Sequence, residues 1–193
     1  MTLHTTDYDL LDAVRQFHDP DKSVIFVELH QPACLRFCIK GGMQRADAEE
    51  LTQQFCTELL DGLLNEFDRA RGKFRPWLFA RLRYAKADFY KRKNRAVPGA
   101  GQSGECSRLE SEPEQFSEFE AIWNAEALRW ALAKVYLEFG ERDSEIFLRI
   151  ELHDEETKAV AAKFCLATRT VRHIRDQVKK RLGQLLESVD CFG

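Results

Sequence analysis

The chain has 193 residues, a formal net charge of −3, 44% hydrophobic residues and 32% charged residues. This length allows one domain or two small ones, and the apolar fraction is sufficient for a packed core. The longest apolar runs are too short to cross a bilayer and the N-terminus has no apolar signal segment, so we expect a cytoplasmic protein with no membrane partner.

Charge is distributed in blocks along the chain. Residues 47–68 carry seven acids and no base, and residues 69–95 carry eleven bases and one acid. Residues 105–126 carry seven acids and one base. This asymmetry is more informative than the net charge, because it predicts separate acidic and basic segments.

The N-terminal residues 1–21 form an extension to which the sequence assigns no role, although "DYDLLDAVRQF" is typical of a short helix. The next stretch, "SVIFVEL" (23–29), is compatible with a strand. It continues without a turn signal into a segment that contains Pro32, and proline is tolerated in the first turn of a helix. We therefore favour a helix, which could begin near that proline.

His30, Cys34 and Cys38 are spaced four residues apart and would share one face of that helix. Such spacing is one alternative for a zinc site. Pro32 interrupts the turn and no fourth ligand is evident, so we expect the six scattered cysteines to be free thiols. We predict no metal site and no cofactor.

An acidic helix is predicted for "DAEELTQQFCTELL" (47–60), with leucines and phenylalanines recurring at spacings of three and four. Asp47, Glu50, Gln53 and Gln54 project polar groups from one end of it. An acidic face repels DNA, so it would face either a basic protein partner or solvent.

The following helix, "GKFRPWLFARLRYAKADFYKRKNR" (72–95), has two stripes on a helical wheel. A buried stripe is expected from Phe74, Leu78, Leu82, Ala85 and Phe89. A second stripe alternates basic and aromatic side chains: Arg75, Phe79, Arg83, Lys86, Tyr90 and Lys93. Cations bind phosphates and aromatic faces stack on unpaired bases, so this stripe suits DNA strands that are separating. The alternative is a surface helix whose aromatic rings pack partly against neighbours, and Trp77 is interpreted as core in preference to a base-stacking wedge.

A flexible linker is predicted between two helical blocks. Residues 96–118 hold two prolines, three glycines and four serines with few large apolar side chains, a composition that cannot offset the entropy of ordering. The predicted domains are 22–95 and 123–189, with a linker over 96–122.

The C-terminal helix, within "ATRTVRHIRDQVKKRLGQLL" (167–186), carries six bases and one acid. Its apolar face is Val171, Ile174, Val178, Leu182 and Leu185, and Arg169, Arg172, His173, Asp176 and Lys180 lie roughly opposite. Thr168 is a better N-cap than Ala167 by its chemistry. A shorter helix, "ETKAVAAKFCLA", precedes it and turns Val160, Ala161 and Phe164 inward.

A short helix, a tight turn and a second helix with an exposed basic start are typical of a DNA-binding helix-turn-helix. Arginine near the start of such a helix reaches base edges in the major groove, whereas lysine further along neutralises phosphates. A solvated basic face on an ordinary amphipathic helix is the alternative.

Taken together, these segments resemble the bacterial extracytoplasmic-function sigma factors of the sigma-70-like family. "DAEELTQQFCTELL" and "FDRARGKFRPWLFARLRYAKADFYKRKNR" are similar to the second conserved region of that family, and "AVAAKFCLATRTVRHIRDQVKKRL" is similar to the helix-turn-helix of its fourth region. The resemblance covers about 24–95 and 125–187.

The resemblance implies a role for each segment. Asp47, Glu50 and Gln53, with Gln54 beside them, match the helix that binds a coiled coil of core RNA polymerase. The stretch 67–75, with Arg71, Lys73 and Arg75, matches the loop that captures an extruded base of the minus-ten element. The basic-aromatic helix after it, with Phe79, Arg83, Lys86, Tyr90 and Lys93, matches the element that holds the opening duplex. Residues 168–175, among them Thr168, Arg169, Thr170, Arg172 and His173, match the start of the helix that reads the minus-thirty-five element, with Lys180 further along.

Three positions depart from the family pattern. Phe139-Gly140 stands where a leucine-proline pair is usual, Cys165 replaces the common glycine of the turn, and Ala167 replaces the usual serine cap. "ELHDEET" (151–157) is also unusually acidic beside a DNA reader.

The sequence therefore predicts an all-α protein of two small domains that is not an enzyme. It would act as an alternative sigma factor whose partners are core RNA polymerase and promoter DNA, with an anti-sigma protein as a further candidate. Two other classes are open: a free-standing helix-turn-helix regulator that binds DNA as a dimer, and a helical adapter that binds only protein.

Overall fold

The computed structural model describes residues 8–17, 20–96 and 112–190. Every regular element in these ranges is helical, which confirms the predicted all-α class. The elements are α1 (Tyr8–Asp12), continued by a π-helical turn (Ala13–Phe17), then α2 (Pro20–Lys40), α3 (Arg45–Leu60), two 3-10 turns (Leu63–Glu66 and Arg69–Arg71), α4 (Phe74–Ala96), α5 (Glu112–Glu151), α6 (Thr157–Lys163) and α7 (Thr168–Asp190). Within the described ranges, no helix combines the length and the apolar character that a bilayer span requires.

The chain divides into two compact units, one ending at Glu126 and the other spanning Ala127–Asp190. Helix α5 contributes residues 112–126 to the first unit and residues 127–151 to the second. Its backbone leaves the helical conformation at Gly140, which has φ 77° and ψ 174°. A positive φ is readily adopted only by glycine, so this residue permits the break in α5.

The core of the first unit is built from the apolar stripes of α2, α3 and α4. Its fully buried members include Phe26, Phe55, Phe74, Leu51, Leu59, Leu78 and Leu82. The spacing of three and four residues that predicted these helices is therefore the spacing of the residues that pack between them. The helix favoured over 23–29 is confirmed, but α2 begins at Pro20 and carries Pro32 in its interior. The expectation of a helix that begins near Pro32 is wrong because buried side chains on both sides of the proline hold one continuous helix.

The predicted linker is partly wrong. Residues 97–111 lie outside the described residues, but Glu112 onward is helical and Phe119 is completely buried in the first unit. Phe116, Phe119 and Trp123 recur at helical spacing, and this short apolar stripe is enough to fix residues 112–122 against the unit. A composition averaged over 96–118 concealed it.

The second unit packs α5, α6 and α7 around one apolar cluster. Its buried members are Ala131, Val135, Ile146, Phe147, Val160, Ala161, Val171, Ile174, Val178 and Leu185, with Phe164 and Leu182 packed against them. The inward faces predicted for α6 and α7 are confirmed. The carbonyl of Ala167 accepts the first helical hydrogen bond of α7, from the N–H of Val171 at 3.1 Å. Ala167 therefore occupies the N-cap, and the preference for Thr168 at that position is wrong.

Candidate nucleic-acid interface

An open cavity of about 610 Å³ lies at the N-terminal end of α4 in the first unit. Its lining combines aromatic rings, cations and carboxylates: Glu66, Phe67, Asp68, Arg71, Gly72, Lys73, Pro76, Trp77, Ala80, Arg81 and Tyr84. Tyr84 is 73% exposed, which is unusual for a tyrosine on a packed helix. Aromatic rings beside cations are the groups that bind an unpaired base and its phosphate.

Local hydrogen bonds shape the loop that forms one wall of this cavity. The carboxylate of Asp68 accepts a hydrogen bond from the N–H of Ala70 at 2.9 Å and caps the 3-10 turn Arg69–Arg71. The loop then turns at Gly72, whose φ of 151° disfavours any other residue. The side chain of Arg71 is 88% exposed at the rim. The capped turn therefore fixes the backbone from which the Arg71 guanidinium projects at the rim of the cavity.

Trp77 forms the aromatic wall of the cavity and packs against the rings behind it. The ring of Trp77 lies 5.5 Å from that of Phe67 and 5.6 Å from that of Phe74. The guanidinium of Arg81 lies 5.6 Å from the Trp77 centroid and also pairs with Glu66. Trp77 is therefore half core and half cavity wall, a mixed role that the interpretation as core did not anticipate.

Part of the predicted basic-aromatic stripe of α4 is buried, which corrects the expectation that it is presented to DNA. Arg75, Phe79 and Lys86 are at most 9% exposed. Arg75 and Phe79 lie under residues 113–126 of α5, which belong to the same unit, and the ammonium of Lys86 lies 5.9 Å from the ring centroid of Phe37 of α2. Arg83 and Tyr90 are half-buried. Arg71 and Lys73 are exposed as predicted.

The sequence missed the residues that do face the cavity from α4. Trp77, Arg81 and Tyr84 lie on a third stripe, between the two that the helical wheel singled out. They recur at spacings of four and three, so the signal was present. It was overlooked because Tyr84 is isolated among small and charged residues.

The four polar residues predicted for polymerase binding on α3 divide into two pairs. Glu50 and Gln53 are exposed. Asp47 accepts hydrogen bonds from the ammonium of Lys93 at 2.6 Å, so Lys93, which was predicted to bind DNA, is held by an acid of α3. Gln54 contacts Glu58 at 2.9 Å and Arg92 at 3.3 Å. Only the first pair is presented outward without such contacts.

In the second unit, α6 and α7 are joined by residues 164–167. Cys165 adopts φ 53° at the end of α6. The N–H of Cys165 donates to Ala162 at 3.2 Å and the N–H of Leu166 donates to Ala161 at 2.9 Å. These two bonds form a Schellman motif, whose left-handed position glycine usually occupies. Cys165 thus adopts the left-handed conformation of this turn although it is not a glycine.

The bases of α7 fall into two groups by their contacts. Arg181 donates two hydrogen bonds of 2.6 Å to Glu138, whose pKa it holds below the usual value. Lys179 lies 2.9 Å from Glu151, and Arg175 contacts Asp176 at 2.7 Å and Glu151 at 3.9 Å. By contrast, Arg169, Arg172 and Lys180 are exposed and make no ion pair within the described residues. His173 and Thr170 are also exposed, and Thr168 is half-buried.

The acidic stretch 151–157 makes ion pairs within the second unit. Glu151 accepts a hydrogen bond from Lys179 of α7 at 2.9 Å, and Glu155 accepts one from Arg149 at 2.7 Å. Arg149 also contacts Glu145, and the two acids raise its pKa. Of these carboxylates, Glu151 pairs with Arg175 and Lys179 of α7, whereas Arg169, Arg172 and Lys180 keep their positive charge exposed.

His30, Cys34 and Cys38 are all buried in α2. Burial lowers the pKa of His30 to about 3, because the charged form is poorly solvated there, and raises the pKa of Cys34. In residues 8–17, 20–96 and 112–190, no group of three or more His, Cys, Asp or Glu side chains is placed to hold a metal ion.

Comparison with protein families gives one match, for residues 26–96, to the family model described as Sigma-70 region 2. The match contains α3, α4 and the cavity at the N-terminal end of α4, and it spans less than half of the chain. No curated protein and no solved structure matches the chain significantly. The match supports a sigma-70-type sigma factor with a role in RNA polymerase binding and promoter melting.

Proposed function

We propose that this chain is an alternative sigma factor of the extracytoplasmic-function type. It binds core RNA polymerase in the cytoplasm, directs the enzyme to a promoter and helps to separate the DNA strands. The observation that carries the proposal is the open cavity at the start of α4, inside the segment that matches Sigma-70 region 2. The chain itself would perform no chemistry, since RNA synthesis belongs to the polymerase.

The cavity suits one base extruded from the minus-ten element. Trp77 and Tyr84 offer faces for stacking, and Arg71 and Lys73 offer charge to the adjacent phosphates. Extruding a base costs a few kcal/mol, and a site that binds only the extruded base recovers that cost in the open state. Such a site favours melted over duplex promoter without any catalytic group.

The exposed start of α7 suits the minus-thirty-five element. Arg169 and Arg172 lie in the first turn or so, where side chains of a helix in the major groove reach base edges. Lys180 lies eight residues beyond Arg172, about 12 Å along the axis, and meets phosphate in this arrangement. The ion pairs of Arg175, Lys179 and Arg181 support this division, because those side chains are already occupied.

Glu50 and Gln53 are the residues of α3 that we assign to the polymerase contact. They are exposed on an acidic helix and are not engaged by α4. An acidic patch is repelled by promoter DNA, so its partner is a basic protein surface.

Pull-down of core RNA polymerase by the purified chain tests the proposal against a free-standing helix-turn-helix regulator. A sigma factor retains the polymerase without DNA, and Glu50→Arg weakens that retention. A regulator that binds DNA as a dimer retains no polymerase, which would contradict the proposal. Glu141→Arg is the matched control because Glu141 is an exposed acid of the second unit.

A further inference from the structure

Residues 113–126, here called the cover segment, lie on the face of the first unit that the sequence had predicted to be open to DNA. The cover segment packs on α2 and α4 within the same unit. Two residues of that face, Arg75 and Phe79, contact its rings and are at most 6% exposed. The face is therefore occupied by a segment of the chain itself.

Aromatic rings of the cover segment pack on this face in tilted and edge-on arrangements. The ring of Phe116 lies 5.4 Å from that of Phe79, and the ring of Phe119 lies 5.3 Å from it. Trp123 lies 4.8 Å from His30 and beneath the guanidinium of Arg75, which is 5.4 Å from its centroid. These are the ring–ring and cation–ring contacts that an unpaired base makes with a protein.

Carboxylates of the cover segment meet the cations at the edge of the same face. Glu118 lies 2.8 Å from the ammonium of Lys40, and Glu126 pairs with Arg36. Both cations are on α2 and both are more than half exposed. The cover segment therefore offers aromatic rings and neighbouring anions. A single DNA strand offers the same two groups, with bases in place of the rings and phosphates in place of the carboxylates.

We propose that the face formed by Arg36, Lys40, Arg75 and Phe79 is a concealed surface for single-stranded DNA, and that the cover segment occupies it as an intramolecular competitor. The inference rests on the proposed function, because it takes α4 to hold the melted promoter. It adds two cations of α2 to that surface and gives residues 113–126 a regulatory role.

Two features favour exchange over a permanent core contact. The indole N–H of Trp123 is buried with no hydrogen-bond acceptor among the described residues, so the covered state leaves a polar group unsatisfied. In both ion pairs the cation is more than half exposed, so a phosphate can reach Arg36 and Lys40 from solvent. A phosphate can replace each carboxylate without a new charge being buried.

Binding of a fluorescent single-stranded DNA of mixed sequence to the full chain tests the proposal without polymerase. The double variant E118Q/E126Q removes both carboxylates that hold the cover segment. The control E120Q/E141Q removes the same charge from α5 at two acids that make no ion pair within the described residues. We expect E118Q/E126Q to bind about tenfold more tightly than the control, because a larger fraction of the chain has the surface open. Equal affinity of the two variants would overturn the proposal.

Hydrogen exchange of the wild-type chain gives a second readout that requires no variant. On addition of the same DNA, amide exchange within 113–126 rises if the cover segment is displaced. Unchanged protection of 113–126 in a DNA-saturated sample would overturn the proposal even if E118Q/E126Q failed to fold. Run-off transcription by the wild-type chain with core polymerase separates the proposed function from the displacement of the cover segment. Absence of transcripts would contradict the proposed function, whereas it would leave the displacement standing.

Discussion

The ammonium of Lys93 lies 2.6 Å from both carboxylate oxygens of Asp47 and joins the C-terminal half of α4 to the start of α3. The sequence had assigned these residues to different partners, DNA for one and polymerase for the other. Because Asp47 is engaged and its side chain is only 18% exposed, we expect it to position α3 against α4.

The charge-swapped pair D47K/K93D should retain polymerase binding close to that of the wild type, whereas Glu50→Arg or Gln53→Ala should weaken it. An exposed charge reversal at an interface costs several kcal/mol, so Glu50→Arg should raise the Kd for core polymerase at least about tenfold. Fluorescence titration of labelled chain with core polymerase measures both. If the swapped pair loses binding as strongly as Glu50→Arg, Asp47 contacts the polymerase directly.

Tyr84→Ala should impair promoter opening without lowering stability. Its ring is 73% exposed at the cavity, so truncation removes little packing, whereas stacking on one base contributes about 1–3 kcal/mol. Permanganate reactivity of unpaired thymines in the open complex reports the loss, which should be about five- to one-hundredfold. Tyr136→Ala, at a tyrosine of the second unit that is 48% exposed, is the control and should leave opening unchanged.

Three alanine variants of α7 should behave differently on promoter DNA. Arg172→Ala should cost about 1–3 kcal/mol on the cognate element and relax base preference at one position. Lys180→Ala should weaken binding to every sequence similarly and reduce the salt slope by about one. Arg175→Ala should act less on specificity, since its guanidinium contacts Asp176 and Glu151. Equal losses by all three variants on every promoter variant would show that α7 is only an electrostatic anchor.

Cys165→Gly should stabilise the second unit slightly. The left-handed conformation costs a non-glycine residue about 1–2 kcal/mol, and the added chain entropy of glycine offsets about 0.5–1 kcal/mol of that gain. A net gain of about 0.5 kcal/mol in the free energy of unfolding should appear in urea titration. Ala162→Gly, inside α6, should lose about 1 kcal/mol instead. Similar destabilisation by both changes would contradict the strain at Cys165.

The first unit should lose stability in mild acid through His30. Its folded pKa of about 3 lies below the ordinary 6.5, so between these values protons bind the unfolded chain preferentially. The contribution of neutral His30 is therefore complete above pH 6.5 and decreases as pH falls. Between pH 6 and pH 5 it should reduce the free energy of unfolding by about 1 kcal/mol. In His30→Phe, which retains a ring beside Phe26 and Phe74, this decrease should be absent from urea titrations at the two pH values.

Periodicity predicted most of the fold because it records which side chains pack together. The inward faces of α4 and α7 follow directly from spacings of three and four. The sequence could not predict which segment packs on the other faces of these helices. The stripe with Phe79 has the composition of a DNA-binding surface, and only the folded chain shows Phe119 lying on it.

Pairing of charges was also beyond the sequence. Arg172 and Arg175 are the same residue type on the same helix, and the sequence does not distinguish them. In the folded chain, Glu151 at the end of α5 contacts Arg175 and not Arg172. The resemblance had singled out the loop 67–75, and five residues of that loop line the cavity. Tyr84 was not predicted, because an isolated tyrosine carries no signal until its surroundings are known.

Run-off transcription with core RNA polymerase on a library of genomic fragments tests the central claim most directly. The account predicts transcripts with defined start sites that require the chain, are lost with Glu50→Arg and are reduced with Tyr84→Ala. Transcripts that are the same with and without the chain, from a chain that nevertheless binds the same fragments, would contradict it and indicate a free-standing DNA-binding regulator.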